Sequence, residues 1–204
     1  MRLGTILPIL CEKGIGIARL NEPNISGMMT FEKVTPNDSK LQRVIDIYLS
    51  AFPQEERREL ENIEWQLANN ECYNMYAIRH EGEVVGMFVY WDFEATVYIE
   101  YLAMDATLRG GGLGTKALTQ MIELIGPRKV IFEVELPENE IATRRIEFYK
   151  RFNFQLWDQI PYEQPPYRAT DDWFPMHLMT NGEEPNAEDI ALLHQRVYNV
   201  APSE

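Results

Sequence analysis

Apolar positions in the first half of the chain change from a helical to a strand period. In LQRVIDIYL they recur three and four residues apart, which predicts a helix. A second helix is predicted over EERRELENIEWQLANN. Three runs rich in aromatic and β-branched residues follow, CYNMYAIRH, EVVGMFVYW and ATVYIEYLAM. Their short polar breaks predict an antiparallel meander of strands.

Helical and strand patterns alternate through the second half. A helix ends at Gly126-Pro127, and a strand follows that is apolar apart from Glu133 and Glu135. The later patterns are a helix, two strands and a terminal helix, in IATRRIEFYKRF, FQLWDQI, FPMHLM and NAEDIALLHQRVY. This order predicts an α/β (α+β) fold, with a mixed, mostly antiparallel sheet of about six or seven strands and helices on both faces.

The chain divides into three segments by pattern. Residues 1–27 show little periodicity and are either an N-terminal extension or the result of a start codon assigned too early. Residues 28–180 carry the alternating elements and form the expected domain. Residues 181–204 are expected to be a C-terminal helical appendage.

Charge and composition narrow the classes of partner. The 204 residues carry a net charge of −13, which disfavours nucleic acid and anionic membranes as partners. No apolar run approaches the roughly 18 residues that span a bilayer, and MRLGTILPILC is too short for a signal peptide. Cys11 and Cys72 lack metal-ligand spacing and the three histidines are scattered, so we expect free thiols, no metal and a cytoplasmic location.

The stretch LRGGGLGTKAL joins an apolar run to a helical pattern through four glycines. Backbone N–H groups at such a helix start bind phosphate well. The dinucleotide fingerprint fails because Thr115 occupies its last glycine position, and the P-loop fails because the order is Gly-Thr-Lys. The pattern Arg/Gln-x-x-Gly-x-Gly/Ala is matched by Arg109, Gly112 and Gly114.

Two segments together carry a specific resemblance. YIEYLAMDATLRGGGLGTKAL and IEFYKRFNF resemble the cofactor-binding segments of the GNAT superfamily of N-acetyltransferases, and the likeness covers roughly residues 29–180. It implies that acetyl-CoA binds here, with its pantetheine arm along the strand end and its pyrophosphate in the glycine loop. The residues so implied are Leu102, Ala103, Met104, Arg109, Gly110, Gly111, Gly112, Leu113, Gly114 and Thr115.

The helix in TRRIEFYKRF departs from the family pattern and resembles a bacterial subgroup with two arginines before Phe-Tyr. Many members have a cofactor-contacting asparagine where this chain has Ala142, and Asn139, one turn earlier, is the candidate replacement. Arg145 either faces the CoA phosphates or pairs with a glutamate such as Glu138 or Glu147.

Acetyl transfer to an amine needs a group that removes a proton. An ammonium with a pKa near 10.4 costs about 4–5 kcal/mol to deprotonate at pH 7. Glu100, in the otherwise apolar strand YIEYLAM, is the candidate base, either directly or by orienting water. The resemblance places Tyr149 near the CoA sulfur, where a phenol can protonate the leaving thiolate.

The resemblance implies that the loop AFPQEERRE and the late connection IPYEQPPYRATDDWFPMHL line the acceptor pocket. Tyr162, Tyr167 and Trp173 suit an amine with an apolar body, although the same aromatics also fit a core edge or a homodimer contact. The predicted function is transfer of an acetyl or other small acyl group from acetyl-CoA to a primary amine of a small molecule or peptide, by direct attack in a ternary complex. The alternative is a non-catalytic CoA-binding sensor or interaction module on the same fold.

Overall fold

The protein is built around one open sheet. The computed structural model describes residues 29–108 and 111–199. Its strands are β1 Met29–Lys33, β2 Tyr73–His80, β3 Glu83–Phe93, β4 Thr96–Met104, β5 Lys129–Glu135, β6 Gln155–Trp157, β7 Glu163–Gln164 and β8 Phe174–Thr180. Its helices are α1 Leu41–Ala51, α2 Leu60–Asn69, α3 Leu113–Ile125, α4 Glu140–Lys150 and α5 Ala187–Leu192, the last continued by a π-helical turn, Leu193–Val197.

The strand order is β1-β2-β3-β4-β5-β8-β6, with β7 paired to the start of β8. The expected meander is confirmed as β2-β3-β4, and the pairs are antiparallel except β4 with β5. The expected mixed, mostly antiparallel sheet is therefore confirmed. The two-residue strand β7 has no sequence signal because a run this short carries no period.

The sheet separates two hydrophobic cores. On one face, α1, α2 and the C-terminal segment pack on the strands, and on the other face α3 and α4 do so. Burial follows the predicted periods, as Val44, Ile47 and Tyr48 of α1 show with at most 1% of their surface exposed. None of the helices in the described part of the chain is long and apolar enough to cross a bilayer.

The second predicted helix starts later than its sequence pattern indicates. Residues 54–56 form a single 3-10 turn after Pro53, and the regular helix α2 begins only at Leu60. The intervening Arg57 and Glu59 are extended, and between them Arg58 is buried, with 6% exposed. Arg58 points inward because a buried carboxylate binds it, a tertiary contact that overrides local helix propensity.

The C-terminal segment packs into the domain. Leu193, Val197 and Tyr198 are each less than 10% exposed and belong to the core that contains α1 and α2. We expected residues 181–204 to be an appendage, and the described part of this range, up to Asn199, instead covers one face of the sheet. The expectation for residues 1–27 falls outside the described residues.

Strands β4 and β5 diverge. They pair in parallel from Thr96–Lys129 to Tyr98–Ile131, and this pairing stops there. Within the described residues, the rest of β4 is paired only with β3. A cleft therefore opens between the second half of β4 and the second half of β5, and it positions the site described next.

Candidate active site

The cleft between the diverging strands encloses about 110 Å³. Residues 99–102 of β4 form one wall and residues 132–135 of β5 form the other. Tyr149 of α4 and Tyr167 of the β7–β8 connection also line it. A cleft with strand backbone on two sides offers both hydrogen-bonding main chain and converging side chains to a ligand.

The end of β4 exposes one edge of its backbone to this cleft. Leu102, Ala103 and Met104 pair with Phe88, Met87 and Gly86 of β3. The opposite edge of the strand has no strand partner among the described residues, so main-chain groups on that side remain available for the amides of a pantetheine arm. The cofactor role of these three residues stays a prediction.

The glycine loop leads into a helix start without a side-chain cap. Gly112 is the N-cap of α3, with a φ of 74° in the left-handed region that glycine tolerates. Gly111 and Gly112 are exposed, and a Cβ on either would meet no atom within 4 Å. First-turn N–H groups of a helix lack intrahelical partners, so those of Leu113, Gly114 and Thr115 can receive an anion.

This arrangement supports the predicted pyrophosphate cradle, although its contacts with the cofactor stay a prediction. Leu113 packs against the core, while Thr115 is exposed. Two other members of the predicted cradle, Arg109 and Gly110, fall outside the described residues.

Glu100 sits at a bulge in β4. Val89 and Tyr90 of β3 pair with Tyr101 and Ile99, so Glu100 is the extra residue on its strand. A bulge re-aims a side chain, and Glu100 and Tyr101 thus point toward the same core. The Glu100 carboxylate has no exposed side-chain surface, whereas the residue as a whole is half-buried, so its exposed area lies on the backbone.

Three donors surround the Glu100 carboxylate. Oε1 accepts hydrogen bonds from Arg58 Nε at 2.5 Å and from the Tyr167 hydroxyl at 2.9 Å. Oε2 accepts a bond from Trp91 Nε1 at 2.7 Å. Burial alone would lower the pKa of Arg58, but Glu100 beside it raises that pKa above the ordinary value. The candidate base is therefore half of a buried ion pair.

A second buried carboxylate, Glu133, faces the cleft from β5. Its Oε2 accepts hydrogen bonds at 2.6 Å from the hydroxyls of Tyr98 and Tyr198, and its Oε1 accepts one from Tyr162. Burial raises the pKa of Glu133, and the three phenols partly offset this rise. Burial also raises the pKa of each of these phenols, so they remain protonated donors at neutral pH.

Tyr149 lies where α4 meets the cleft. It is half-buried, and its ring packs on Phe132 of β5 at 4.6 Å between centroids and on Phe154 at 6.4 Å. Burial raises its pKa, while Arg145 acts in the opposite direction. A protonated phenol beside the cleft is compatible with the predicted acid role, which stays a prediction.

The two further cofactor candidates on α4 have protein partners. Asn139 is the N-cap of the helix, and its Oδ1 accepts the Ala142 N–H at 2.8 Å. Arg145 lines the cleft and pairs with Glu135 at 2.5 Å, not with Glu138 or Glu147. Their contacts with CoA stay predictions, and Arg145 would have to exchange its glutamate partner for a phosphate.

The acceptor candidates separate in the structure. The Tyr167 ring lies 4.7 Å from the Arg58 guanidinium carbon, and Tyr162 is buried against Glu133. Trp173 is 43% exposed and contacts His194 instead of the cleft. Tyr167 also borders a second, more polar cavity of about 770 Å³ between α2 and the C-terminal segment.

Sequence reasoning missed five residues of this site: Arg58, Trp91, Tyr98, Glu133 and Tyr198. Glu133 had a signal, since a glutamate interrupts the apolar strand KVIFEVEL, in the way that drew attention to Glu100. Arg58 follows another arginine in AFPQEERRE, a segment expected at the acceptor pocket, but nothing in the sequence distinguishes it from its charged neighbours. Tyr198 comes from a segment that looked peripheral.

Parallel strands that diverge beside a glycine-capped helix agree with the resemblance to acyl-CoA-dependent acetyltransferases noted in the sequence. The model of the acetyltransferase (GNAT) family matches residues 41–154, more than half of the chain. The chain therefore belongs to the GNAT acetyltransferase family. No match appears among curated proteins.

Solved structures agree with this assignment. A GNAT-family acetyltransferase from Bacteroides thetaiotaomicron is 35% identical, with a TM-score of 0.78 over 84% of this chain and 99% of its own. A GNAT acetyltransferase from Elizabethkingia anophelis with acetyl-CoA bound is 18% identical, with a TM-score of 0.53 over 74% and 96%. Arabidopsis thaliana Naa50, in complex with a CoA-peptide bisubstrate analogue, is 18% identical, with a TM-score of 0.55 over 76% and 99%.

Proposed function

We propose that this acetyltransferase moves an acetyl group from acetyl-CoA to a primary amine by direct attack in a ternary complex. The observation that carries the proposal is the cleft itself. Its walls carry the open edge of β4 and two buried carboxylates, and the glycine-capped start of α3 lies beside Met104 at the end of β4. Together these features supply a site for the donor and groups able to bind and deprotonate an amine.

The donor is proposed to lie along the end of β4. Residues 102–104 would hydrogen-bond the pantetheine amides, and residues 109–115 would bind the pyrophosphate. The uncapped N–H groups of α3 and the helix dipole favour an anion at this position. The acetyl-CoA complex of the Elizabethkingia protein supports this proposal by likeness of fold.

The two candidate catalytic residues are proposed to have different roles. Tyr149 would donate a proton to the leaving thiolate. Glu100 is enclosed by Arg58, Trp91 and Tyr167 and has no exposed side-chain surface, so we propose that it positions the bulged strand and its neighbours. Direct proton removal by Glu100 would require breaking a buried ion pair, which is costly.

The acceptor is proposed to approach from the side of Tyr167. This residue borders both the cleft and the larger cavity, so an amine entering from the cavity would meet it on the way to the donor. Tyr162 would act through Glu133 and not by direct contact. Trp173 would contact only an acceptor long enough to extend toward His194.

Donor binding can be tested at Gly112. Gly112→Asp should fold, since the new Cβ meets open space and aspartate tolerates left-handed geometry, but its charge would repel pyrophosphate. We expect at least about a 100-fold loss of acetyl-CoA affinity by calorimetry, equivalent to about 2.7 kcal/mol. Gly112→Asn has the same shape without the charge and should retain most of the affinity. Equal affinities in the two variants would place the pyrophosphate elsewhere.

Turnover separates the enzyme from a non-catalytic binding module. Wild-type protein that binds acetyl-CoA should release CoA thiol faster with amines than without them. We would test 2-phenylethylamine, spermidine and alanyl-alanine as probes of three amine classes. Binding without amine-dependent thiol release would favour the sensor or interaction module.

A further inference from the structure

The two carboxylates of the cleft differ in how their charge is balanced. Glu100 has a cationic partner, the Arg58 guanidinium. Within residues 29–108 and 111–199, Glu133 forms no ion pair, and its hydrogen-bond partners are three neutral phenols. Arg145, the arginine of the cleft lining that is nearest to Glu133 in sequence, is paired with Glu135. A buried carboxylate without a counter-charge is unfavourable, so Glu133 favours a proton or an incoming cation.

The geometry around Glu133 leaves room for one more donor. An ionised carboxylate has about four acceptor positions. Oε2 uses two of them for Tyr98 and Tyr198, whose hydroxyls are also 2.9 Å apart, and Oε1 uses one for Tyr162. Among the described residues, one acceptor position on Oε1 is unused, and the half-buried Glu133 lines the cleft, so a donor from a ligand in the cleft can complete its hydrogen bonding.

We propose that Glu133, held by Tyr98, Tyr162 and Tyr198, binds the ammonium group of the acceptor and removes its proton. This proposal rests on the proposed acetyl transfer. The ammonium supplies the missing positive charge, and its N–H occupies the free acceptor position of the carboxylate. Tyr98, Tyr162 and Tyr198 are positioning residues, because they hold Glu133 and do not react.

The proton and bond changes balance as follows. One proton passes from the ammonium nitrogen to a Glu133 oxygen, and the freed lone pair forms a C–N bond with the thioester carbon. The C–S bond then breaks, and the thiolate takes the hydroxyl proton of Tyr149. The second nitrogen proton, lost as the amide forms, restores Tyr149, and Glu133 releases its proton to solvent.

The C-terminal segment becomes part of this site. Tyr198 donates to Glu133, and the carbonyl of the preceding Val197 accepts a hydrogen bond from Arg58 Nη2 at 2.7 Å. One short stretch therefore contacts Glu133 and the cationic partner of Glu100. It lies at the end of a π-helical turn, a feature often found at functional sites, and beyond the range matched by the family model.

The main test is Glu133→Gln, which keeps the size of the side chain and removes its basicity. With the three amine probes, we expect kcat/KM at pH 7 to fall at least about 100-fold, in the range for loss of a general base. Acetyl-CoA affinity, measured by calorimetry, should stay within about twofold of wild type. Glu147→Gln, an exposed glutamate paired with Lys150, is the matched control and should retain wild-type kinetics.

The pH profile separates a chemical role from a structural one. Without its base the enzyme depends on free neutral amine, whose fraction rises about tenfold per pH unit below the amine pKa. Activity of Glu133→Gln should therefore recover toward wild type as pH increases. A uniform loss at every pH, or wild-type activity at pH 7, would overturn the proposal.

A second variant tests the positioning role of Tyr198. Tyr198→Phe removes one donor to the carboxylate, which should raise the pKa of Glu133 further and move the acidic limb of the kcat/KM profile to higher pH. The groups facing Glu133 that stay unchanged are Tyr98 and Glu100 of β4 and Tyr162 of the late connection. If the acidic limb of the kcat/KM profile stayed at the wild-type pH, the positioning of Glu133 by Tyr198 would be contradicted.

Failure of the two proposals can be distinguished. Wild-type protein that binds no acetyl-CoA, or acetylates none of the probes, would overturn the proposed function and this inference with it. Wild-type turnover with an equally active Glu133→Gln variant would overturn only the role of Glu133.

Discussion

The two walls of the cleft each carry a buried glutamate with three hydrogen-bond donors, yet the two sites differ in kind. Glu100 on β4 is paired with a guanidinium, while every donor to Glu133 on β5 that the described part of the chain supplies is a phenol. A charge that is already neutralised inside the protein contributes to the architecture. A charge that is hydrogen-bonded but not neutralised remains able to bind a cation or a proton. Counting donors would miss this distinction.

The largest effect is expected from removing the cation on the β4 side. Arg58→Met would leave Glu100 buried without a counter-charge, and breaking a buried ion pair in this way costs about 3–5 kcal/mol of unfolding free energy. Urea denaturation measures the loss. The double variant Arg58→Met/Glu100→Gln should recover part of it, because the uncompensated charge is gone. A loss below about 1 kcal/mol in Arg58→Met would mean that the two walls do not differ as described.

Replacing Tyr149 is expected to have a smaller effect than replacing Arg58, and to affect turnover but not stability. Tyr149 packs against β5 through Phe132. Tyr149→Phe removes the hydroxyl and keeps the ring packing. We expect kcat to fall about 100-fold, with acetyl-CoA affinity nearly unchanged, because the phenol is proposed to act only as the thiolate leaves. Steady-state kinetics and calorimetry together measure this. Unchanged kcat would remove Tyr149 from the mechanism and leave Glu133 as the reactive group of this wall.

The smallest expected effect is the contribution of Glu133 to the pH dependence of the unfolding free energy. Burial raises its folded-state pKa above the unfolded value, so between these two values the folded protein binds more protons. Its contribution to stability is therefore greatest at low pH and decreases as pH rises from about 4 through the folded pKa. Glu133→Gln lacks this component, whereas the lowered pKa values of Asp38 and Asp105 affect both proteins equally.

The measurement is the unfolding free energy of wild type minus that of Glu133→Gln across this pH range. We expect the difference to fall as pH rises. A difference that rises would mean that the three phenols stabilise the carboxylate more than burial penalises it. Glu133 would then resemble Glu100 in being fully compensated.

Much of the fold was predictable because it depends on local periodicity. Patterns within single segments predicted the three strands of the β2-β3-β4 meander and the glycine start of α3. The order of these elements predicted a mixed sheet. The predicted start of α2 was wrong because Arg58, which fitted the helical pattern, instead binds Glu100, 42 residues away in sequence. No local pattern records such a contact.

The site likewise has one part that depends on local sequence and another part that depends on contacts between distant segments. The glycine loop and the strand before it carry a motif, since binding a phosphate requires small residues at fixed spacing on contiguous backbone. The environment of a carboxylate has no such spacing. Tyr98, Tyr162 and Tyr198 come from three separate segments, and only Tyr162 was singled out from the sequence, as an acceptor contact and not as a partner of Glu133.

The sequence by itself determined the alternation of elements, the glycine-capped helix and the family to which these features point. The tertiary structure decided which glutamate is neutralised and which is not, and it made the C-terminal segment part of the site. The physical reason is that hydrophobic period and backbone conformation are local properties. The electrostatic state of a buried charge instead depends on groups that only the folded chain brings within hydrogen-bonding distance.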